Sequence, residues 1–103
     1  MNDIGFDLDI TQIKPARNHD GGVWVFGTTL GYRFQALVFR EHALDPAYEL
    51  KNTRISKLWV RRLADRTTTF NFDRGWDVPA KDAVTQRIVD FLGEGLAEFV
   101  FEG

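Results

Sequence analysis

Ile55-Ser-Lys-Leu-Trp-Val-Arg-Arg-Leu63, then Asp65-Arg66, then Thr67-Thr-Thr-Phe-Asn-Phe-Asp73 spell a strand, a turn and a returning strand. Both runs are rich in β-branched and aromatic residues, and the pair between them is polar. Leu58 and Val60 share one parity, while Lys57, Trp59 and Arg61 share the other. Side chains alternate along a strand, so if Leu58 and Val60 meet a core, the cations and the indole must point away from it.

Upstream, Val23 to Leu30 and Tyr32 to Arg40 flank Gly31 and predict a second hairpin. Ile4, Phe6, Leu8 and Ile10 alternate with Gly5, Asp7 and Asp9, which predicts a half-buried first strand. Lys14 to Gly22 holds Pro15, Asn18 and Asp20-Gly21-Gly22 and predicts a loop. His42 to Asn52, with Asp45-Pro46, predicts a longer connection with one helical turn.

Downstream, Arg74-Gly75-Trp76-Asp77 is expected to leave the sheet, and Pro79 marks the approach to a helix. Val84, Ile88, Phe91, Leu92, Leu96 and Phe99 then recur at helical spacing as one apolar face. Gly93 and Gly95 each weaken that helix by ~1 kcal/mol relative to Ala. A bend or end is expected there, with Phe99 to Phe101 as an extended tail.

These elements predict an α+β fold in a single domain over residues 1–103. It is a mostly antiparallel sheet of about five strands, with one C-terminal amphipathic helix packed on one face. In the other strands both parities carry apolar groups: Trp24 and Phe26 against Val23 and Val25, Phe34 and Val38 against Leu37 and Phe39. One helix cannot cover both faces. The expectation is that the N-terminal strand, loops or a second copy of the chain covers part of the second face, in a homodimer.

The composition agrees with a small soluble domain. Of 103 residues 44% are hydrophobic and 27% charged, with nine Phe and three Trp against one Met. There is no cysteine, which excludes disulfides, thiolate metal sites and a Cys nucleophile, and fits a reducing compartment. The start lacks a basic n-region, so it is not a secretory signal. No apolar run approaches the ~20 residues needed to span a bilayer. The expected location is the cytoplasm, with no membrane association.

Charge is unevenly spread. The chain is at −2 overall, but Lys51 to Arg74 carries seven cations and two anions, leaving the remainder at −7. Trp59, Phe70, Phe72 and Trp76 interleave with those cations. Cations for phosphates and π-faces for unstacked bases are what single-stranded nucleic acid requires, with Lys57, Trp59, Arg61, Arg62 and Arg66 as its candidate contacts. Against this, nucleic-acid-binding domains are usually basic overall. Asp82, Asp90, Glu94 and Glu98, with Asp3, Asp7 and Asp9, are available to pair with the same cations, and that reading is favoured.

Asp73-Arg74-Gly75-Trp76-Asp77 reads as a charge-locked corner anchored by its indole. A carboxylate pair from Asp73 and Asp77 is the functional alternative, but no further ligand stands at matching spacing. His19 and His42 lie far apart in predicted loops, so no metal site is predicted. Ser56 and Thr67 to Thr69 have no nucleophile motif and no evident base. Asp20-Gly21-Gly22 lacks the helix and Lys of a phosphate loop. No cofactor is predicted, and catalysis finds no specific support.

Arg54-Ile-Ser-Lys-Leu-Trp-Val60 followed by Asn71-Phe-Asp-Arg-Gly-Trp-Asp77 resembles an uncharacterised domain of unknown function from bacteria and their phages. The resemblance covers roughly residues 22 to 92 and includes Phe34-Gln-Ala-Leu-Val-Phe39. It departs in the connection before Arg54: relatives carry a Ser- and Gly-containing loop, and this chain has Ala43-Leu-Asp-Pro-Ala-Tyr-Glu-Leu-Lys-Asn52. The resemblance implies a hairpin followed by a helix and implies nothing about chemistry. The functional expectation is a non-enzymatic binding or accessory domain acting through an exposed sheet face, with single-stranded nucleic acid binding as the alternative.

Overall fold

The computed structural model describes residues 7–17, 21–73 and 76–102, residues 76–78 as backbone. Among them lie β1 (Asp9–Pro15), β2 (Gly22–Thr29), β3 (Tyr32–Phe39), β4 (Ile55–Arg62), β5 (Thr67–Asp73), β6 (Trp76–Val78) and α1 (Ala83–Phe101). The strands form one sheet in chain order, each antiparallel to the next. The α+β class holds, with a sixth short strand beyond the five expected.

Both hairpins fall where the sequence places them. Between β2 and β3, Leu30 (φ 54°) and Gly31 (φ 83°) form a two-residue turn, with Thr29 opposite Tyr32. Positive φ at both central residues matches the right-handed twist of the flanking strands. Glycine takes that geometry freely; Leu30 is helped by its N–H donating to the Asp7 carboxylate. Between β4 and β5, the Asp65 carboxylate accepts the Thr67 N–H at 3.1 Å and Arg66 takes positive φ.

The core lies between one sheet face and α1. Val25, Phe34, Ala36, Leu58, Val60, Phe70 and Phe72 meet Ile88, Leu92 and Leu96 there. Leu58 and Val60 point to the helix as expected, and Lys57, Trp59 and Arg61 do not. Gly27 is a packing requirement: a Cβ there would stand 2.6 Å from the Phe34 ring and 2.7 Å from the Asp9 carbonyl.

Three expectations are corrected. The first strand is Asp9–Pro15, so it runs on into the segment read as a loop, while Ile4 and Phe6 lie outside the described residues. Pairing with the whole of β2, not local alternation, sets its limits, and Pro15 is tolerated because β1 is an edge. The chain does not leave the sheet at Arg74: Trp76 pairs with Asp73 and Asp77 with Phe72. Arg74 and Gly75 themselves lie outside the described residues, as do Asn18, His19 and Asp20.

Third, α1 runs unbroken through Gly93 and Gly95 to Phe101. The two glycines cost about 1 kcal/mol each. Burial of a large apolar side chain contributes about 1.5–3 kcal/mol, and Leu92 and Leu96 flank the glycines with Ala97 beside them. The buried stripe is Thr85, Ile88, Val89, Leu92, Leu96 and Ala97, which leaves Phe91 and Phe99 exposed. At its start Asp82 caps the helix, accepting the Thr85 N–H at 2.7 Å. Among the described residues no helix is long and apolar enough to cross a membrane.

Candidate functional site

The face of the sheet away from α1 is not covered by another element among the described residues. Register places three rows across it. Lys14, Trp24, Leu37, Lys57 and Asp73 are successive cross-strand neighbours; Gln12, Phe26, Gln35, Trp59 and Asn71 form the next row. Thr28, Arg33, Arg61 and Thr68 form the third. Leu37 is 0% exposed yet stands outside the core cluster.

The aromatic rings of this face carry cations. Lys14 Nζ lies 5.3 Å from the centroid of Phe26, and the Arg61 guanidinium lies 5.8 Å from that of Trp59. Trp24 and Phe26 stand 6.4 Å apart and tilted by 32°. Trp59 Nε1 donates to Thr68 Oγ1 at 3.1 Å, which fixes the indole on the face. Lys57 stands 3.7 Å from Asp73, both partly exposed. Among the described residues, the cations Lys14, Arg33, Lys57 and Arg61 share the face with the acids Asp9 and Asp73.

The basic hairpin is therefore divided. Lys57, Trp59 and Arg61 come together on the open face. Arg62 lies on the helix side, its guanidinium donating to Asp82 at 2.7 Å, Asp65 at 2.8 Å and the Tyr32 hydroxyl at 3.5 Å. Those acceptors hold its pKa well above the ordinary value. Burial pushes the Asp82 carboxyl up, but the Thr85 N–H and hydrogen bonds from Arg62 and Tyr32 outweigh that and leave it far below the usual range. Asp65 is lowered by Arg62 and Thr67.

Arg54 likewise turns from the face, donating to the Arg40 carbonyl at 2.8 Å and to Glu102 at 3.1 Å. Arg66 sits at the exposed hairpin turn, where its carbonyl accepts from Arg61 Nε at 3.4 Å. The expected pairing with acidic α1 thus holds for Arg62 through its cap residue. Lys57 and Arg61 are not answered by the helix. Lys14, Trp24, Phe26 and Arg33 join the site from strands that the sequence reading did not connect with the hairpin's charge. Parity marks each as outward, but only register shows that they are neighbours.

A pocket of about 300 Å³ opens at one end of the same sheet, between the β3–β4 connection and the bulge in β4. The connection holds the single 3₁₀ turn expected of it, Pro46–Tyr48, capped by Asp45, whose carboxylate accepts the Ala47 N–H at 3.0 Å. The buried Glu49 carboxylate ties the connection together, accepting the Ala43 N–H at 2.7 Å and lying 2.8 Å from His42 Nδ1. Burial raises its pKa, and hydrogen bonds from Ala43, His42 and the Arg54 backbone bring it below the ordinary carboxylate value. Ser56, the extra residue of the bulge, is among the lining residues, and its buried hydroxyl has no hydrogen-bond partner among the described residues.

That hydroxyl is not bonded to His42, so Ser56, His42 and Glu49 do not form a relay. Asp73 and Asp77 are offset by one residue in the β5–β6 register. Among the described residues no three of His, Asp or Glu gather as metal ligands.

No curated protein and no solved structure gives a significant match to this chain. A family model does match, over residues 23–97, from β2 through most of α1 and including both hairpins. The chain belongs to that family, a domain of unknown function designated DUF7678.

Proposed function

We propose that this domain is a binding module whose open sheet face holds single-stranded nucleic acid. The observation that carries the reading is the placing of Trp24, Phe26 and Trp59 beside Lys14, Arg33, Lys57 and Arg61 on one solvent-facing surface. Strands lie ~4.8 Å apart, so Phe26 and Trp59, two strands distant, offer stacking platforms ~10 Å from each other. Bases stack on such rings whatever their identity, and the neighbouring cations neutralise phosphates. The overall charge of −2 counts less than its arrangement, because the acids of α1 lie behind the sheet.

Face-to-face self-association fits this surface poorly. A two-fold interface would oppose the same four cations to themselves. A homodimer is better supported on the helix side, where exposed Phe91 and Phe99 border an apolar groove of about 250 Å³ with Leu8 and Ile10.

Anisotropy of a labelled 12-nucleotide single strand at ~50 mM salt tests the main reading, because phosphate contacts are strongest at low salt. Micromolar or tighter binding that weakens steeply with salt is expected. Absence of binding to the folded protein at that salt overturns it. Light scattering over a dilution series tests the dimer, and a monomer mass at tens of micromolar overturns that one.

A further inference from the structure

The pocket between the β3–β4 connection and the β4 bulge has the chemistry to receive one base of the strand. It is continuous with the open face. Phe39, in its wall, follows Leu37 by two residues on that face and pairs with Gly22, two before Trp24. Ser56, also in its wall, directly precedes Lys57.

Of the charged groups lining the pocket, Glu49, Arg54 and Arg40 are committed elsewhere, and Glu41 is exposed at its rim. The Glu49 carboxylate is held by the Ala43 N–H and His42. The Arg54 guanidinium donates to the Arg40 carbonyl and Glu102, and the Arg40 guanidinium lies 5.0 Å from the centroid of Phe101. The other uncommitted groups are hydrogen-bonding ones: the Ser56 hydroxyl, the second ring nitrogen of His42 and the Tyr48 hydroxyl. Phe39 and Tyr48 supply aromatic walls.

Such a lining suits neither a phosphate, which wants an unanswered cation, nor a metal ion, since among the described residues Glu41 is its single uncommitted carboxylate and no three ligands gather. It suits the edge of a planar heterocycle that both donates and accepts. The volume of about 300 Å³ is at the lower end of the range for ligand pockets, enough for one ring system rather than a chain of them. Ser56 is 6% exposed, and a buried hydroxyl without a partner is costly unless something bonds to it. The rings of His42 and Tyr48, each 54% exposed, have room to turn towards an incoming base.

We infer that this pocket captures a single unstacked nucleobase at one end of the strand bound on the sheet, and so gives the surface a base preference. The inference rests on the open face being a nucleic-acid surface.

The test compares the four 12-nucleotide homopolymers on the wild type, Ser56→Ala and Lys57→Ala/Arg61→Ala, with backbone amide spectra of each protein titrated with single nucleoside monophosphates. The wild type is expected to rank the homopolymers. Ser56→Ala, which removes an unpartnered group and so should fold, is expected to weaken the preferred one roughly three- to tenfold while leaving the others nearly unchanged. Lys57→Ala/Arg61→Ala should weaken all four alike, and the matching monophosphate should shift the Ala43, Tyr48 and Ser56 amides. Equal binding of all four homopolymers, unaltered by Ser56→Ala, overturns the pocket and leaves the face standing. No oligonucleotide binding at ~50 mM salt overturns both. Monophosphate shifts without oligonucleotide binding mark a site for free nucleotides, and also overturn the inference.

Discussion

Asp82 Oδ2 accepts a hydrogen bond from Arg62 Nη2 at 2.7 Å, which ties the first residue before α1 to the last residue of β4. The same carboxylate accepts from the Tyr32 hydroxyl at 2.9 Å and caps the helix through the Thr85 N–H. One side chain thus docks α1 on the β3–β4 end of the sheet.

Asp82→Ala should therefore destabilise by more than a simple cap loss, which is about 0.5–2 kcal/mol. Asp82→Asn keeps a capping oxygen but gives up the charge facing Arg62, and should fall between the two. Urea unfolding of the three proteins checks the order; equal midpoints for Asp82→Ala and wild type would refute the docking role.

Acid should unfold the domain through the same groups. Asp82, Glu49 and Asp65 all have folded pKa values below their ordinary 3.8, 4.5 and 3.8. A depressed carboxyl contributes its stability above the unfolded pKa and loses it as pH falls towards the folded one. Stability should hold above about pH 5 and decline steadily below pH 4. Asp82→Asn should flatten that decline, as read from thermal midpoints between pH 3 and pH 7 at constant salt, roughly the span over which carboxylates titrate.

Thr29 is 1% exposed and its hydroxyl has no hydrogen-bond partner among the described residues. Thr29→Val keeps the branched shape that a strand end favours and removes the stranded group. It should stabilise by about 1 kcal/mol, seen as a higher urea midpoint with an unchanged slope.

The two helix glycines should differ. A Cβ at Gly95 meets nothing within 4 Å, while one at Gly93 would stand 3.0 Å from Thr53 Cγ2. Gly95→Ala should raise stability by about 0.5–1 kcal/mol, the helix-propensity difference. Gly93→Ala should gain less, or nothing, because Thr53 must give way. Equal gains would show that the β3–β4 connection yields freely to α1.

On the open face, truncating a stacking ring and removing cations should separate. Trp59→Ala should weaken a bound single strand by about 1–3 kcal/mol with little change in salt dependence. Changing Lys14, Lys57 and Arg61 together to Ala should lower the slope of log affinity against log salt by about 2, since each single-strand phosphate contact contributes about 0.7. Titrations from about 50 to 200 mM salt read both, and unchanged slopes would remove the phosphate contacts from the proposal.

The strands and the helix were legible where the pattern is local. Alternation in Lys57-Leu58-Trp59-Val60-Arg61 and the recurrence of Ile88, Leu92 and Leu96 report which face each element buries, because each side chain's direction depends only on its own backbone. The limits of β1, the existence of β6 and the continuity of α1 were not legible. Pairing with β2, pairing with β5 and burial of Leu92 and Leu96 decide those, and each involves residues distant in sequence.

The site divides in the same way. From its sequence this chain has a basic, aromatic hairpin with Lys57, Trp59 and Arg61 on one parity. Only the tertiary structure sends Arg62 to Asp82 and Arg54 to Glu102, brings Lys14, Trp24, Phe26 and Arg33 alongside Trp59, and sets His42 and Ser56 around one pocket. Parity is a property of a single strand, whereas neighbourhood across a sheet is set by register, and register is fixed by the packing of the whole fold.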